Sequence, residues 1–291
     1  MEEIAILQIN DLILNDLQND FYANTIPLHL KINHNHIEKP HKHNFYVSML
    51  FTQGTGTHEI DFKRYEIKPG AVFMLAPGQT HSWNLSEDID GYIFYHSQEF
   101  LDLHFVRDTI REYPVFRSIF YPNVVYLDKE GISDITYIFT KMMVEIATNK
   151  WKSHQLLVNL TSQFYILTNR LLMLEDGFNK ILNSQYSNHF MKFEDLLEDK
   201  YKTEKSAAAY AEALNMTQKH LNRICRTMIN QTTTDLIINR VLLEAKRMLI
   251  YTDKNFNEIS AALGYDDYSY FSKIFKRKVG ETPKDFLKKY I

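Results

Sequence analysis

The chain has 291 residues, of which 45% are hydrophobic and 24% charged, the balance of an ordinary globular protein with room for about two cores. A single cysteine, Cys225, excludes an intrachain disulfide and fits a reducing compartment. MEEIAILQIN has no basic lead before an apolar core, and no run approaches the ~18 apolar residues of a membrane span. A soluble, cytoplasmic protein with no membrane partner is expected. The net charge of −3 hides an asymmetry: residues 191–291 carry 18 Lys+Arg against 14 Asp+Glu, leaving 15 against 22 before them. A basic C-terminal third behind an acidic body suits a nucleic-acid-binding module joined to a module of another kind.

Residues 26–100 read as β. Leu28, Leu30 and Ile32 alternate, Phe45–Phe51 is an apolar run of strand length, and His58, Ile60 and Phe62 alternate again. Tyr65–Ile67, Ala71–Leu75, a strand at Trp83 and Tyr92–Tyr95 follow, separated by Gly54, Gly56, Pro69-Gly70 and Pro77-Gly78. Short strands at this spacing predict a sandwich or jelly-roll barrel. Its mouth offers a small-molecule pocket with His41, His43, Tyr46, His58, His81, Trp83 and Asn84 as candidate effector-binding residues. Which of them point inward depends on register, because a slip of one residue reverses every side chain.

PHKH (Pro40–His43) and PGQTHSWN (Pro77–Asn84) resemble the two cupin motifs, and His41, His43 and His81 stand at that family's histidine positions. The cupin glutamate, four or five residues after the second histidine, is replaced by Val47 or Ser48. Three imidazoles could hold Zn, Fe or Mn, yet without the carboxylate the expectation is no metal, no cofactor and no catalytic residue. The alternative is a metal-dependent cupin enzyme fused to a DNA-binding tail.

Residues 100–120 are aromatic and mixed, and suit short helices. Ile135, Ile138, Phe139, Met142 and Ile146 form one face of a helix. In His154–Glu175, Leu157, Leu160, Phe164, Leu167, Leu171 and Leu174 are spaced as an a/d seam. That seam either packs on the chain's own barrel or joins two copies, and a homodimer through 154–175 is the partner expected. Gly177, Asn179 and Ser184 mark 176–188 as a hinge. The domains predicted are 1–105 (barrel), 106–180 (helical dimerisation segment) and 189–291 (helical).

The last hundred residues hold two helix pairs with tight turns. Ser206 caps AAAYAEALN, Thr217 caps QKHLNRICRTMI, and a long helix, Thr233–Tyr251, follows. Asn255 with Glu258 makes a capping box, Gly264 ends that helix, and Phe271, Ile274 and Phe275 face inward from the next. A short helix, a tight turn and a second helix with a polar-basic face is a helix-turn-helix. Two such second helices, braced by one long helix, can reach successive major-groove faces ~34 Å apart. Cys225 on the apolar face reads as a core residue.

YAEALNMTQKHLNRICR, then EAKRMLIYTDKNFNEISAALGYDDYSYFSKIFKRKVGETPKDF, resemble the AraC/XylS family of bacterial transcription regulators. The resemblance rests on the I-(S/A)-x-x-L-G-(F/Y) turn, the YFS-x-x-FK helix and the G-x-(S/T)-P-x-x-(F/Y) tail. It implies an α+β multidomain protein: a cupin-like barrel with a helical dimerisation segment, then an all-α domain with two helix-turn-helix motifs. Its partners would be double-stranded promoter DNA, a small-molecule effector and RNA polymerase. By motif position, Lys219, Asn222 and Arg223 read DNA from the first head, and Tyr268, Ser269, Ser272 and Lys273 from the second. Arg223 suits guanine and Asn222 adenine, whereas Arg226, Lys276 and Arg277 suit phosphates.

Overall fold

A computed structural model describes residues 6–7, 20–37, 40–102, 110, 113–117, 121–174 and 186–289. The contacts divide the chain into two compact units that meet at 176/177. Residues 176–185 of the expected hinge lie outside the described residues.

The first unit is built on two five-stranded sheets. Its strands are β1 (Ile6–Leu7), β2 (Phe21–Thr25), β3 (His41–His43), β4 (Tyr46–Gln53), β5 (Gly56–Ile60), β6 (Lys63–Ile67), β7 (Ala71–Leu75), β8 (Thr80–Leu85), β9 (Asp90–His96) and β10 (Val124–Tyr126). One sheet runs β1-β3-β8-β5-β6 and the other β10-β7-β4-β9-β2. All pairings are antiparallel except β1 with β3. Helix α1 (Ile26–Ile37) follows β2 directly. The alternating Leu28, Leu30 and Ile32 are therefore helical rather than a strand, and Leu28 and Ile32 are exposed. Pro27 fits the first helical turn, where its missing N–H is not needed, and the strand that joins the sheet lies just before it.

Two cores share the second sheet. Between the sheets lie Phe45, Val47, Met49, Phe51, Ile60, Ile67, Phe73, Leu75, Ile93 and Tyr95. On the other side, Leu50, Val72, Met74 and Phe94 pack against α4 (Lys129–Thr148) and α5 (Ser153–Leu174) through Ile135, Phe139, Met142, Leu157, Phe164 and Tyr165. Burial on both faces explains why FYVSMLF and AVFML are apolar without alternation. Short helices α2 (Gln98–Asp102) and α3 (Pro114–Arg117) fall in the mixed aromatic stretch.

The seam of α5 is largely taken up by this core. Leu157 and Phe164 are fully buried, and Leu160 and Leu167 pack partly against the same cluster. Leu171 is exposed, and the side chain of Leu174 lies outside the described residues. The helices of 129–174 thus share a core with the barrel instead of forming a segment of their own, because sheet two needs an apolar cover on its outer face.

The second unit is helical: α6 (Ser187–Lys200), α7 (Ala207–Ala213), α8 (Gln218–Ile229), α9 (Thr233–Tyr251), α10 (Phe256–Ala262), α11 (Tyr268–Val279) and α12 (Pro283–Leu287). Among the described residues, no helix is long and apolar enough to cross a membrane.

Candidate nucleic-acid interface and ligand pocket

Each head of the second unit is set by local chemistry. Ser206 Oγ accepts from Ala209 N at 3.4 Å to start α7, and Thr217 Oγ1 accepts from His220 N at 3.2 Å to start α8. Asn215, between them, has a φ of 55°, the left-handed geometry that asparagine tolerates. In the second head the capping box is complete: Asn255 Oδ1 accepts from Glu258 N at 3.0 Å, and Glu258 Oε2 accepts from Asn255 N at 2.7 Å. Gly264 turns the chain with a φ of 77°. Asp267 then caps α11 by accepting from Ser269 N at 2.8 Å, a cap the sequence reading passed over.

Leu221, Ile224, Cys225 and Met228 bury one face of α8, and Phe271, Ile274 and Phe275 bury one face of α11. Burial pushes the Cys225 thiol up to about 11, as expected of a core residue. Lys219, Arg223 and Arg226 are exposed on α8, as are Ser269, Lys273, Lys276 and Arg277 on α11. Three expected readers sit differently. Asn222 is half-buried, and its Oδ1 accepts from Thr233 N at 3.2 Å. Its carbonyl therefore anchors the start of α9 instead of standing ready for an adenine. Tyr268 is half-buried and stacked on Phe256 at 5.7 Å, so it packs the head. Ser272 is also half-buried.

Two features were missed. Tyr270 is 59% exposed on α11, one turn before Lys273 and two before Arg277; counting helix faces would have found it. Arg223 is held in place: its guanidinium donates to His220 Nδ1 at 2.8 Å and lies 5.6 Å from the Tyr186 ring centre. Sequence spacing alone does not reveal a partner 37 residues away.

In the first unit, register decides what faces inward. His41 pairs with His81, and His58 with Trp83, across β3-β8-β5. His81 joins its neighbours at both ring nitrogens: Nε2 lies 2.7 Å from His43 Nε2, and Nδ1 lies 2.8 Å from His58 Nε2. The His41 ring centre is 4.4 Å from that of His81 and 4.8 Å from that of His43. Trp83 closes over His58 and His81 at 5.6 and 5.5 Å. Burial, then the charge of His41, pushes His58 down to about 3, and the same causes hold His43 and His81 well below the ordinary histidine range. The rings of His43, His58 and His81 are therefore neutral at pH 7.

Neutral imidazoles impose a proton count. His81 has one N–H and one lone pair, so it donates to one neighbour and accepts from the other. Nδ1 of His43 and of His58 has no hydrogen-bond partner. In either tautomer, one of those two terminal nitrogens carries a buried N–H without an acceptor. Such a donor costs about 1–3 kcal/mol.

The structure thus brings together His41, His43, His58, His81 and Trp83. It does not bring in Tyr46, which lies on the outer face of β4 against His96 and Phe116 at 5.1 and 5.0 Å. Asn84 is exposed, one residue out of phase with Trp83. Both differ from expectation because pleat alternation, unreadable without register, sends them outward. The cluster also has neighbours not foreseen: His29 of α1, whose Nδ1 is 2.8 Å from Tyr95 Oη, and Tyr22, stacked on Tyr95 at 4.7 Å. Reading 28–32 as a strand hid His29. His41, His43 and His81 have ligand atoms all within 4.8 Å of one another and could hold a metal.

Comparison with known proteins matches the same two units. A family described as the AraC-like ligand binding domain matches residues 28–135, and one described as a helix-turn-helix domain matches 210–289. The chain belongs to the AraC family of transcription regulators. It is similar to the HTH-type transcriptional activator RhaS of Enterobacter sp. strain 638, 22% identical over 247 residues, covering 84% of this chain and 86% of that one. RhaS of Klebsiella pneumoniae strain 342 is 22% identical over 253 residues with the same coverages. Among solved structures, ToxT of Vibrio cholerae with bound unsaturated fatty acid is 14% identical with a TM-score of 0.43, covering 94% of this chain and 97% of that one. The C-terminal domain of the response regulator yesN from Fusobacterium nucleatum is 22% identical with a TM-score of 0.33, covering 35% and 99%. As an AraC-family protein the chain is a DNA-binding transcription regulator with an N-terminal domain of the ligand-binding type.

Proposed function

We propose that this regulator reads promoter DNA with α8 and α11 together, under the control of a small ligand taken into the barrel. The carrying observation is the pair of capped helix-turn-helix heads, each with an exposed basic face, joined by the single helix α9. Arg223, pre-set by His220, is the base reader of the first head, and Ser269, Tyr270 and Lys273 serve the second. Lys219, Arg226, Lys276 and Arg277 meet phosphates. The ligand-facing residues are His41, His43, His58, His81 and Trp83.

Dimerisation, contact with RNA polymerase and a cytoplasmic place of action belong to the same reading. With Leu157 and Phe164 committed to the core, α5 leaves Leu156, Ile166 and Leu171 for a second copy. The relatives' role as activators supports a regulator rather than an enzyme.

The test uses promoter fragments. Arg223→Ala is expected to weaken binding by about 1–3 kcal/mol and to relax preference at one base pair. Lys276→Ala is expected to weaken all sequences alike and to lower the salt slope by about one. Unchanged affinity in both variants would refute the assignment.

A further inference from the structure

We propose that the ion pair of Asp235 with Lys278 fixes the two reading heads relative to each other, and so selects the spacing between the half-sites that the protein accepts. Both are positioning residues: they act on specificity without touching a base. The inference rests on the DNA reading proposed above and adds one property to it.

The two heads repeat each other along the chain. Leu221, Ile224, Cys225 and Met228 of α8 match Phe271, Ile274, Phe275 and Lys278 of α11. The last inward position thus holds a buried methionine in the first head and a lysine in the second. Five residues beyond Lys273, Lys278 lies ~140° round the helix, away from the reading face and on the side of the buried stripe. A charge placed there needs a partner. It has one in the first turn of α9, where Lys278 Nζ donates to Asp235 Oδ1 at 2.5 Å, with the two side chains 29% and 35% exposed. That hydrogen bond holds the Asp235 carboxyl below the ordinary aspartate range.

The caps repeat as well, and they isolate what is special about Asp235. Thr232 Oγ1 donates to Asp235 Oδ2 at 2.6 Å, and Thr282 Oγ1 donates to Asp285 Oδ2 at 2.6 Å. Oδ1 of Asp285 faces Lys288, three residues on, at 3.8 Å. Oδ1 of Asp235 instead reaches across to the other head. Capping accounts for the aspartate in both places, but not for the lysine.

The turn that Lys278 grips already belongs to the first head. Asn222 Oδ1 of α8 accepts from Thr233 N at 3.2 Å, and Thr233 Oγ1 donates to Cys225 Sγ at 3.4 Å. Through Asp235 the C-terminal end of α11 is fastened to that same turn. The N-terminal end of α11 is held to the first head elsewhere. There Gly264 lets the chain close on the Lys202 carbonyl, and the Lys205 ammonium stands 5.4 Å from the Tyr265 ring centre. Fixings at both ends of α11 define its direction as well as its distance from α8. Beside Lys278 a cleft of about 370 Å³ opens, lined by Arg226, Asn230, Gln231 and Asn239 as well as the pair. Without the pair, α11 is held at that end by packing rather than by a directed bond. A partly exposed pair is worth a few-fold in such an equilibrium, enough to bias spacing without deciding whether the unit folds.

The probe is a duplex that the unaltered full-length protein selects from a random-sequence pool, with its half-sites mapped by hydroxyl-radical footprinting. Affinity is compared between that duplex and the same duplex with one base pair inserted or removed between the half-sites. Lys278→Met, which installs the residue of the first head, and Asp235→Asn should each lower this spacing preference about two- to fivefold, and the double variant no further. Lys278→Arg should keep the preference. Asp285→Asn makes the same change at the matching cap and should also keep it. The salt slope should be the same for Lys278→Met as for the unaltered chain, because Lys278 is not on a phosphate. Circular dichroism reports folding, and Asp235→Asn tests the pair even where Lys278→Met does not fold. A spacing preference unchanged in both Lys278→Met and Asp235→Asn, or relaxed equally by Asp285→Asn, overturns the proposal. So does a slope lowered by about one in Lys278→Met with tighter binding in Asp235→Asn, which would make Lys278 a phosphate contact. A pool that yields no bound duplex refutes the DNA reading and this inference with it; a bound duplex with no change in preference refutes the inference alone.

Discussion

Gly264 and Gly280 share a backbone conformation and differ in what surrounds them, which makes them a matched pair for probing the second head. Their φ values are 77° and 93°, so alanine at either position meets the left-handed penalty of about 1–2 kcal/mol. A Cβ at Gly280 would meet nothing within 4 Å. A Cβ at Gly264 would lie 2.0 Å from the Lys202 carbonyl oxygen, against 3.4 Å or more for an ordinary contact. Backbone would have to move from backbone by over an ångström, and the Lys205 ammonium, which donates to that same carbonyl at 2.8 Å, would be displaced. Overpacking of this kind adds about 1–3 kcal/mol, here at the upper end because neither partner is a flexible side chain. Gly264→Ala should therefore cost ~2–3 kcal/mol more than Gly280→Ala. Urea unfolding separates the units, because both tryptophans, Trp83 and Trp151, lie in the first one. Circular dichroism follows the helices of both units, and its transition without a tryptophan counterpart should move down by about 1 M or more for Gly264→Ala, given a slope of ~1–3 kcal/mol per molar urea. Tryptophan fluorescence should not move. Equal destabilisation by the two alanines would refute the close-approach argument.

Three further outcomes are expected. Glu198→Ala removes the 2.7 Å partner of Arg240, whose side chain is 8% exposed, but leaves Glu244 and the Tyr201 ring at 3.8 Å; a loss of about 2 kcal/mol in helical unfolding is expected. His96 and His29 are pushed down by burial to about 4 and about 3 from 6.5, so the unfolded chain binds the extra protons between those values. Stability of the first unit should then be level above pH 6.5 and fall below it, by up to ~1.4 kcal/mol per pH unit for each histidine; fluorescence-detected melts at pH 7.5 and 5 check this, and His96→Gln should flatten the slope. Cys225, fully buried with its thiol raised to about 11, should resist iodoacetamide at pH 8 until urea unfolds the second unit.

Legibility followed the range of the interactions involved. The second unit was read nearly whole, because its caps, turns and apolar stripes are set within four residues along the chain: Asn255 with Glu258, Thr217 with His220, Gly264 after Leu263. What spacing did not show there were distant partners, as Asn222 has in Thr233 and Tyr268 in Phe256. In the first unit the strand at Ala71–Leu75 was found to the residue, since apolar runs between Pro-Gly turns are local signals. What each strand residue faces was not, because facing depends on pairing partners tens of residues away. Tyr46 and Asn84 fell outside the histidine cluster for that reason, and His29 and Tyr95 came in beside it. The α5 seam has the spacing of a helix–helix contact, yet sheet two covers the same stripe, and nothing in an a/d pattern says which surface answers it.

The doubly covered second sheet also makes a tie of β9. Tyr95 and His96 are adjacent on that strand and point to opposite sides. Tyr95 Oη touches His29 on the barrel side, and His96 Nε2 lies 2.7 Å from Tyr165 Oη on α5. Adjacent residues of one strand therefore tie the barrel core to its helical cover.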